Sequence, residues 1–188
     1  MAVNVHSQSK SVPNHLVSGT YEQIRLSCDS TNQSFTGLIE DKEGMTSCRL
    51  FFKGKMVRNK EGQYVITAYP YYNKANPSYG TLLFITDHKN HGADIKLRLN
   101  ESGSCQNIIQ LKDGWSFSFE NQFSYQKFSM ICSKKAPVYV DPNGVNKKGY
   151  FVEGDIISIL SENEHFCYVE YWEKQSYKAW IKKSDIIL

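Results

Sequence analysis

The stretch PVYVDPNGVNKKGYFVEGDIISILSENEHFCYVEYWEKQSYKAWIKKSDIIL, residues 137–188, decides the fold. Its apolar residues fall in short runs separated by turn formers, notably DPNG at 141–144 and EG at 153–154, and none recurs with helical spacing. The pattern predicts strands at 138–140, 155–160, 166–172 and 178–181, with 186–188 closing the sheet. Strict alternation at 166–172 puts Cys167, Val169 and Tyr171 on one face and Phe166, Tyr168 and Trp172 on the other. Val169 marks the core side, which makes Cys167 a buried thiol rather than a nucleophile.

The preceding residues read the same way. Residues 1–18 have no sustained period and are expected to be a flexible leader; residues 19–133 form a first β-rich domain, and residues 134–188 a second, smaller one. Within the first, YEQIRLSC, FTGLIE, TSCRLFF, QYVITAYPYY, GTLLFITD, ADIKLRLN, NIIQL, WSFSFE and FSYQKFSMIC alternate with the turns DKEG, NKEG, KNHG, ESG and KDG. Ile95, Leu97 and Leu99 share one side of a strand, as do Trp115, Phe117 and Phe119. An antiparallel sandwich or barrel of about eight strands follows, with Phe35, Phe51, Phe84, Trp115, Phe117, Phe119 and Phe128 as its aromatic core.

Composition bounds the partners. Hydrophobic residues make up 40% and charged residues 22%, as in an ordinary globular chain. The net charge of +3 lies wholly in the first 133 residues, because residues 134–188 carry equal numbers of lysines and acids. Lys53, Lys55, Arg58 and Lys60 are the one local basic group, and they read as a solvated hairpin end rather than a nucleic-acid contact. No apolar run approaches a membrane span, and no signal peptide is apparent. Four of the five cysteines have spacings that strand-connecting disulfides could close, and Cys28–Cys48 with Cys105–Cys132 is the pairing expected of the three possible. That leans toward an oxidising, periplasmic or secreted setting.

YPYYNKANPSYG is unlike the strands around it. Pro77 cannot donate to a ladder, so the segment reads as a long connection or irregular edge. Tyr69, Tyr71, Tyr72 and Tyr79 offer rigid area with polar tips, suited either to contact with a protein or to covering a barrel end.

The C-terminal unit resembles the bacterial SH3-like family. The likeness rests on the short first strand with Tyr139, GYFVEGD at 149–155, FCYVEY at 166–171 and AWIKKSDI at 179–186, where Ala179 stands in place of the family's usual glycine. The resemblance implies a small SH3-like β-barrel after the first domain, in an all-β protein. Such domains bind cell-wall peptides or proteins, or support a neighbouring domain. Tyr139, Tyr150, Tyr168, Trp172 and Trp180 are then the aromatic candidates, with Glu170 and Glu173 as partners for a basic ligand. The overall layout is also similar to uncharacterised exported bacterial proteins, some of them suspected inhibitors or immunity factors against cell-wall-directed toxins.

Catalytic patterns are weak. His88, His91 and Asp94 lack the helical frame that positions zinc ligands with a base. Cys105 has no predicted helix N-terminus to lower its pKa, and GxSxG, phosphate-loop and dinucleotide signatures are missing. The expected function is therefore noncatalytic binding of a protein or cell-wall peptide, with no metal, cofactor or nucleic acid. A cell-wall-binding accessory role and a cysteine-dependent hydrolase are the alternatives.

Overall fold

The alternation of the front strands closes them into a ring. In the computed structural model, which describes residues 15–41, 48–70, 77–87, 92–100, 111–124, 126–145, 147–172 and 176–187, each of the first eight strands pairs antiparallel with the next. They are β1 (Gly19–Tyr21), β2 (Ile24–Asp29), β3 (Ser34–Asp41), β4 (Cys48–Arg58), β5 (Tyr64–Pro70), β6 (Ser78–Asp87), β7 (Gly92–Leu99) and β8 (Trp115–Gln122). β8 returns to pair with β1, so the first domain is a barrel and not a sandwich, and the ring has no free edge.

An eight-stranded barrel is just wide enough for side chains to fill. The inward row Leu26, Gly37, Phe52 and Ala68 shows how. The Phe52 ring lies over Gly37 so closely that a Cβ there would meet ring carbons. Phe35, Phe117, Ile95 and Leu97 are also fully buried inside. Leu16, at the expected end of the leader, is buried in this core, and the Cys28 N–H donates to Ser18 Oγ at 2.8 Å.

The remaining strands form a six-stranded sheet in the order β11–β10–β14–β13–β12–β9. These are β9 (Lys127–Met130), β10 (Lys135–Tyr139), β11 (Lys147–Val152), β12 (Ile156–Glu162), β13 (Phe166–Trp172) and β14 (Ser176–Lys182), with a 3-10 turn at Lys183–Asp185. Cys167, Val169 and Ile181 pack with Phe151 and Ile157 in its core, and Tyr171 lies against them, as alternation predicts. β9 lies before residue 134, yet it pairs with β12. Residues 147–152, outside the strands expected from the sequence, are a strand beside β10. Ile186 makes a single bridge to Ile131.

The two sheets meet through a third apolar cluster. Leu38 and Phe51, on the outside of the barrel, pack with Phe128 and Met130 of β9, flanked by Tyr69, Phe123, Ile156 and Ile187. Phe51 and Phe128 thus belong to this junction and not to the barrel interior. Trp115, at a strand end, is 47% exposed and leaves the expected core. Hydroxyls of the barrel wall occupy donors next to the junction: Gln126 N–H donates to Ser27 Oγ at 2.9 Å and Phe128 N–H to Thr36 Oγ1 at 3.3 Å. The Arg25 guanidinium covers the Phe123 and Phe128 rings at 5.7 and 5.1 Å.

Glu162 ties three parts of the second sheet together. It meets Lys183 at 2.9 Å and Lys127 at 3.0 Å, and these bonds hold its carboxyl below the ordinary glutamate range, Lys183 contributing first. Its stabilising effect is complete above the unfolded-state pKa and is lost as pH falls through the lower folded value.

Two outcomes are expected from urea unfolding. Gly37→Ala costs about 1–3 kcal/mol, because the Phe52 ring has to shift within a filled barrel. Glu162→Gln costs under about 1 kcal/mol at neutral pH, since the group is partly exposed and screened. The difference from wild type disappears once the pH lies below the folded pKa of Glu162.

Candidate functional site

Strand pairing sets the outer wall of the barrel in rows. Ser27, Thr36, Lys53, Thr67 and Tyr79 are successive partners across β2 to β6, so all five project outward side by side. The row behind them, Arg25, Leu38, Phe51 and Tyr69, is the one that β9 helps to cover. In front lie Asp29, Ser34 and Lys55. The polar rows therefore run along the foot of the second sheet, and a cleft of about 610 Å³ opens there. Its size is typical of ligand-binding clefts.

Three lysines line it, Lys53, Lys55 and Lys127, against one acid, Asp29. Val57 and Val65 supply apolar area and are 69% and 54% exposed. Gly54 and Phe35 are also among the lining residues: a Cβ at Gly54 would stand 2.5 Å from Phe35 Cζ, so the missing side chain leaves room for that buried ring beneath the cleft. Asp29 organises the adjoining turn, its Oδ1 accepting the N–H groups of Thr31 and Asn32 at 3.0 Å each. Lys53 sits half-buried between Lys55 and the Tyr69 ring, 5.7 Å from the ring centre. Burial first, and the Lys55 charge second, lower its pKa.

The structure brings together two features that were separate in the sequence. Tyr69 and Tyr79 occupy the same wall as Lys53, and burial followed by the nearby Tyr79 raises the Tyr69 pKa. Tyr79 is 58% exposed, whereas Tyr69 gives part of its surface to the junction. Tyr71 and Tyr72 lie outside the described residues. Of the expected basic group, Arg58 is held at the barrel end, donating to the Tyr64 hydroxyl at 3.2 Å. Lys60 lies in the hairpin turn beyond it, so only Lys53 and Lys55 face the cleft.

The other candidates lie on the second sheet. Tyr139, Trp180 and Tyr168 are opposite one another across β10, β14 and β13, and the Tyr168 and Trp180 rings stack at 5.2 Å. Tyr139 is 4% exposed, edge-on to Phe166 at 5.4 Å. It lines a second cleft, of about 680 Å³, with Asn143, His165 and Lys182. Trp172 is opposite Ser176 at the end of β13. Tyr150 is exposed under Lys135, whose Nζ is 4.7 Å from the ring centre. Glu170 pairs with Lys178 at 3.5 Å and accepts from Ser176; Glu173 lies outside the described residues.

The expected disulfides do not form among the described residues. Cys28 is opposite Phe35, and Phe35 opposite Gly54, whereas Cys48 is six residues along β4 from Gly54. That offset is about 20 Å at ~3.3 Å per residue. A disulfide needs Cα atoms within about 7 Å. Cys28 and Cys167 are free thiols, the Cys132 thiol donates to the Ser184 carbonyl at 3.7 Å, and Cys105 lies outside the described residues. The cysteine argument for an oxidising compartment therefore loses its Cys28–Cys48 pairing, and the Cys105–Cys132 pairing falls on a residue outside the described ones.

Burial pushes the Cys28 thiol up to about 12 and also raises Cys167. Neither supplies a thiolate at neutral pH. His88 and His91 lie outside the described residues, and Asp94 is opposite Ser118 in the barrel wall. No group of three metal-ligating side chains occurs among the described residues, nor any helix long and apolar enough to cross a membrane. Comparison with known proteins finds no matching family model, no matching curated protein and no matching solved structure.

Sequence reasoning missed Val57, Val65, Thr67 and Lys127 as site residues. Val65, Thr67 and Tyr69 do alternate with Tyr64, Ile66 and Ala68, but both sets are apolar enough to be the inner one. Lys127 reaches the cleft only because β9 crosses to the second sheet.

Iodoacetamide at pH 8 is expected to modify Cys28 and Cys167 in native protein at least about tenfold more slowly than in denaturant, read by peptide mass mapping. Equal rates in both conditions contradict the burial assigned to these thiols.

Proposed function

We propose that the chain is a noncatalytic protein- or peptide-binding protein, and that its binding surface is the barrel wall beside the second sheet. The cleft there carries the reading, because it joins exposed apolar area at Val57 and Val65 to the lysines Lys53, Lys55 and Lys127, with Tyr69 and Tyr79 on the same barrel wall beside it. A filled barrel supports it too: with Phe35, Phe52 and Phe117 occupying the interior, recognition falls to the outside. Within this reading the second unit is an SH3-like module to which β9 is added, and β9 brings Lys127 to the cleft. The β12–β13–β14 meander and the 3-10 turn before Ile186 favour that assignment. An inhibitor or immunity-type role fits a surface of this kind.

A second reading, an accessory protein that binds cell walls, is favoured by the Tyr139, Trp180 and Tyr168 row.

The two readings separate experimentally. Affinity capture followed by mass spectrometry is expected to recover a partner with wild-type protein and with Tyr168→Ala. Val65→Asp, at an exposed cleft residue, is expected to lose it by at least about tenfold, roughly 1.4 kcal/mol. Retention on purified cell walls that drops in Tyr168→Ala and not in Val65→Asp favours the accessory role instead.

A further inference from the structure

We infer that the wall cleft takes an acidic segment of a partner protein, its carboxylates meeting Lys53 and Lys55 and its apolar side chains meeting Val57 and Val65. This rests on the binding reading above and specifies its ligand. Charge complementarity carries it: with Lys127 paired to Glu162, Lys53 and Lys55 still outnumber Asp29, the one acid among the lining residues, and that carboxylate is turned to the N–H groups of Thr31 and Asn32.

Lys53 and Lys55 are two residues apart on one face of β4, so their stems leave the wall about 7 Å apart. Lys53 is partly withdrawn from water, and the Lys55 charge beside it adds to the cost of its own. A carboxylate between them relieves both effects, and it does so where the surrounding wall lowers the effective dielectric. Lys127, at 3.0 Å from Glu162, is a weaker contributor because its charge is already shared. The hydroxyls of Ser34, Thr36 and Thr67 line the same surface and can donate to a carboxylate or to a peptide carbonyl.

A peptide fits better than a nucleic acid. Polyanion binding needs a long basic track and aromatic faces for the bases. Here the cleft holds three lysines, one of them paired to Glu162, Asp29 stands among them, and the one ring among its lining residues, Phe35, is 1% exposed. Val57 and Val65 ask for aliphatic contact, which an acidic peptide with apolar residues provides and a sugar-phosphate backbone does not.

The test uses the whole chain and fluorescence anisotropy, with a labelled oligoglutamate, an oligoglutamine and a single-stranded oligodeoxynucleotide of equal length as probes. Oligoglutamate is expected to bind and oligoglutamine not, and binding is expected to weaken at least about tenfold between roughly 50 and 300 mM NaCl as screening tightens. The Lys53→Ala/Lys55→Ala double variant is expected to lose at least about tenfold in affinity. Lys60→Ala alters a charge on the same hairpin outside the cleft and is expected to change affinity less than about twofold. Lys55→Glu, at an exposed position, gives a second variant that keeps Lys53 and its packing; it too is expected to lose the probe, with an unchanged unfolding midpoint in urea. Absence of oligoglutamate binding, full retention by both cleft variants, or tighter binding of the oligodeoxynucleotide each overturns the inference. If it is overturned while Val65→Asp still loses the captured partner, the binding reading stands without the acidic ligand. If Val65→Asp keeps the partner as well, both fail.

Discussion

Leu38 and Phe51 stand on the outer face of a closed barrel, where side chains otherwise meet water, and β9 helps to cover them with Phe128 and Met130. Burial of such side chains favours the folded state by about 1.5–3 kcal/mol each. Leaving this row open would expose a contiguous apolar stripe across β3, β4 and β5, the kind of surface that promotes association. The covering strand is also an edge of the second sheet. Ser27 and Thr36 on the barrel wall accept from the backbone around it, so one contact both hides the stripe and blunts the edge.

The cleft is a consequence of that contact. Packing at the Leu38 and Phe51 row brings the second sheet over the barrel wall and covers Ser27, but leaves Tyr79 in the next row and Lys55 in the row beyond it exposed. Lys127 precedes Phe128 on β9 and so arrives at the same place. Inside the barrel the contrast is complete, since Gly37 yields its space to the Phe52 ring. Recognition chemistry is concentrated where two sheets meet, on rigid strands rather than on loops.

Much of the barrel was legible. Ile95, Leu97 and Leu99 all face inward and are fully buried, and the alternation at Cys167 and Val169 holds in the second sheet. Period-two burial is a local property of a strand against one core, so single segments report it directly. The junction was harder to read. Leu50, Phe51 and Phe52 are consecutive, and such a run says that both faces of a strand are covered without saying by what. The cysteine pairing failed for a related reason. Separation along the chain carries no information about position along neighbouring strands, and Cys28 and Cys48 proved to lie far apart on the sheet.

By itself the sequence determined an all-β chain and the buried face of most of its strands. These follow from side-chain period and turn chemistry, which act over a few residues. The tertiary structure alone decided that the front strands close on themselves, that β9 leaves them for the second sheet, and that Lys53, Val65 and Lys127 line one cleft with Tyr79 on the barrel wall beside it. Those outcomes depend on pairing register and on which apolar row covers which, and both are settled by the total area buried when distant segments meet.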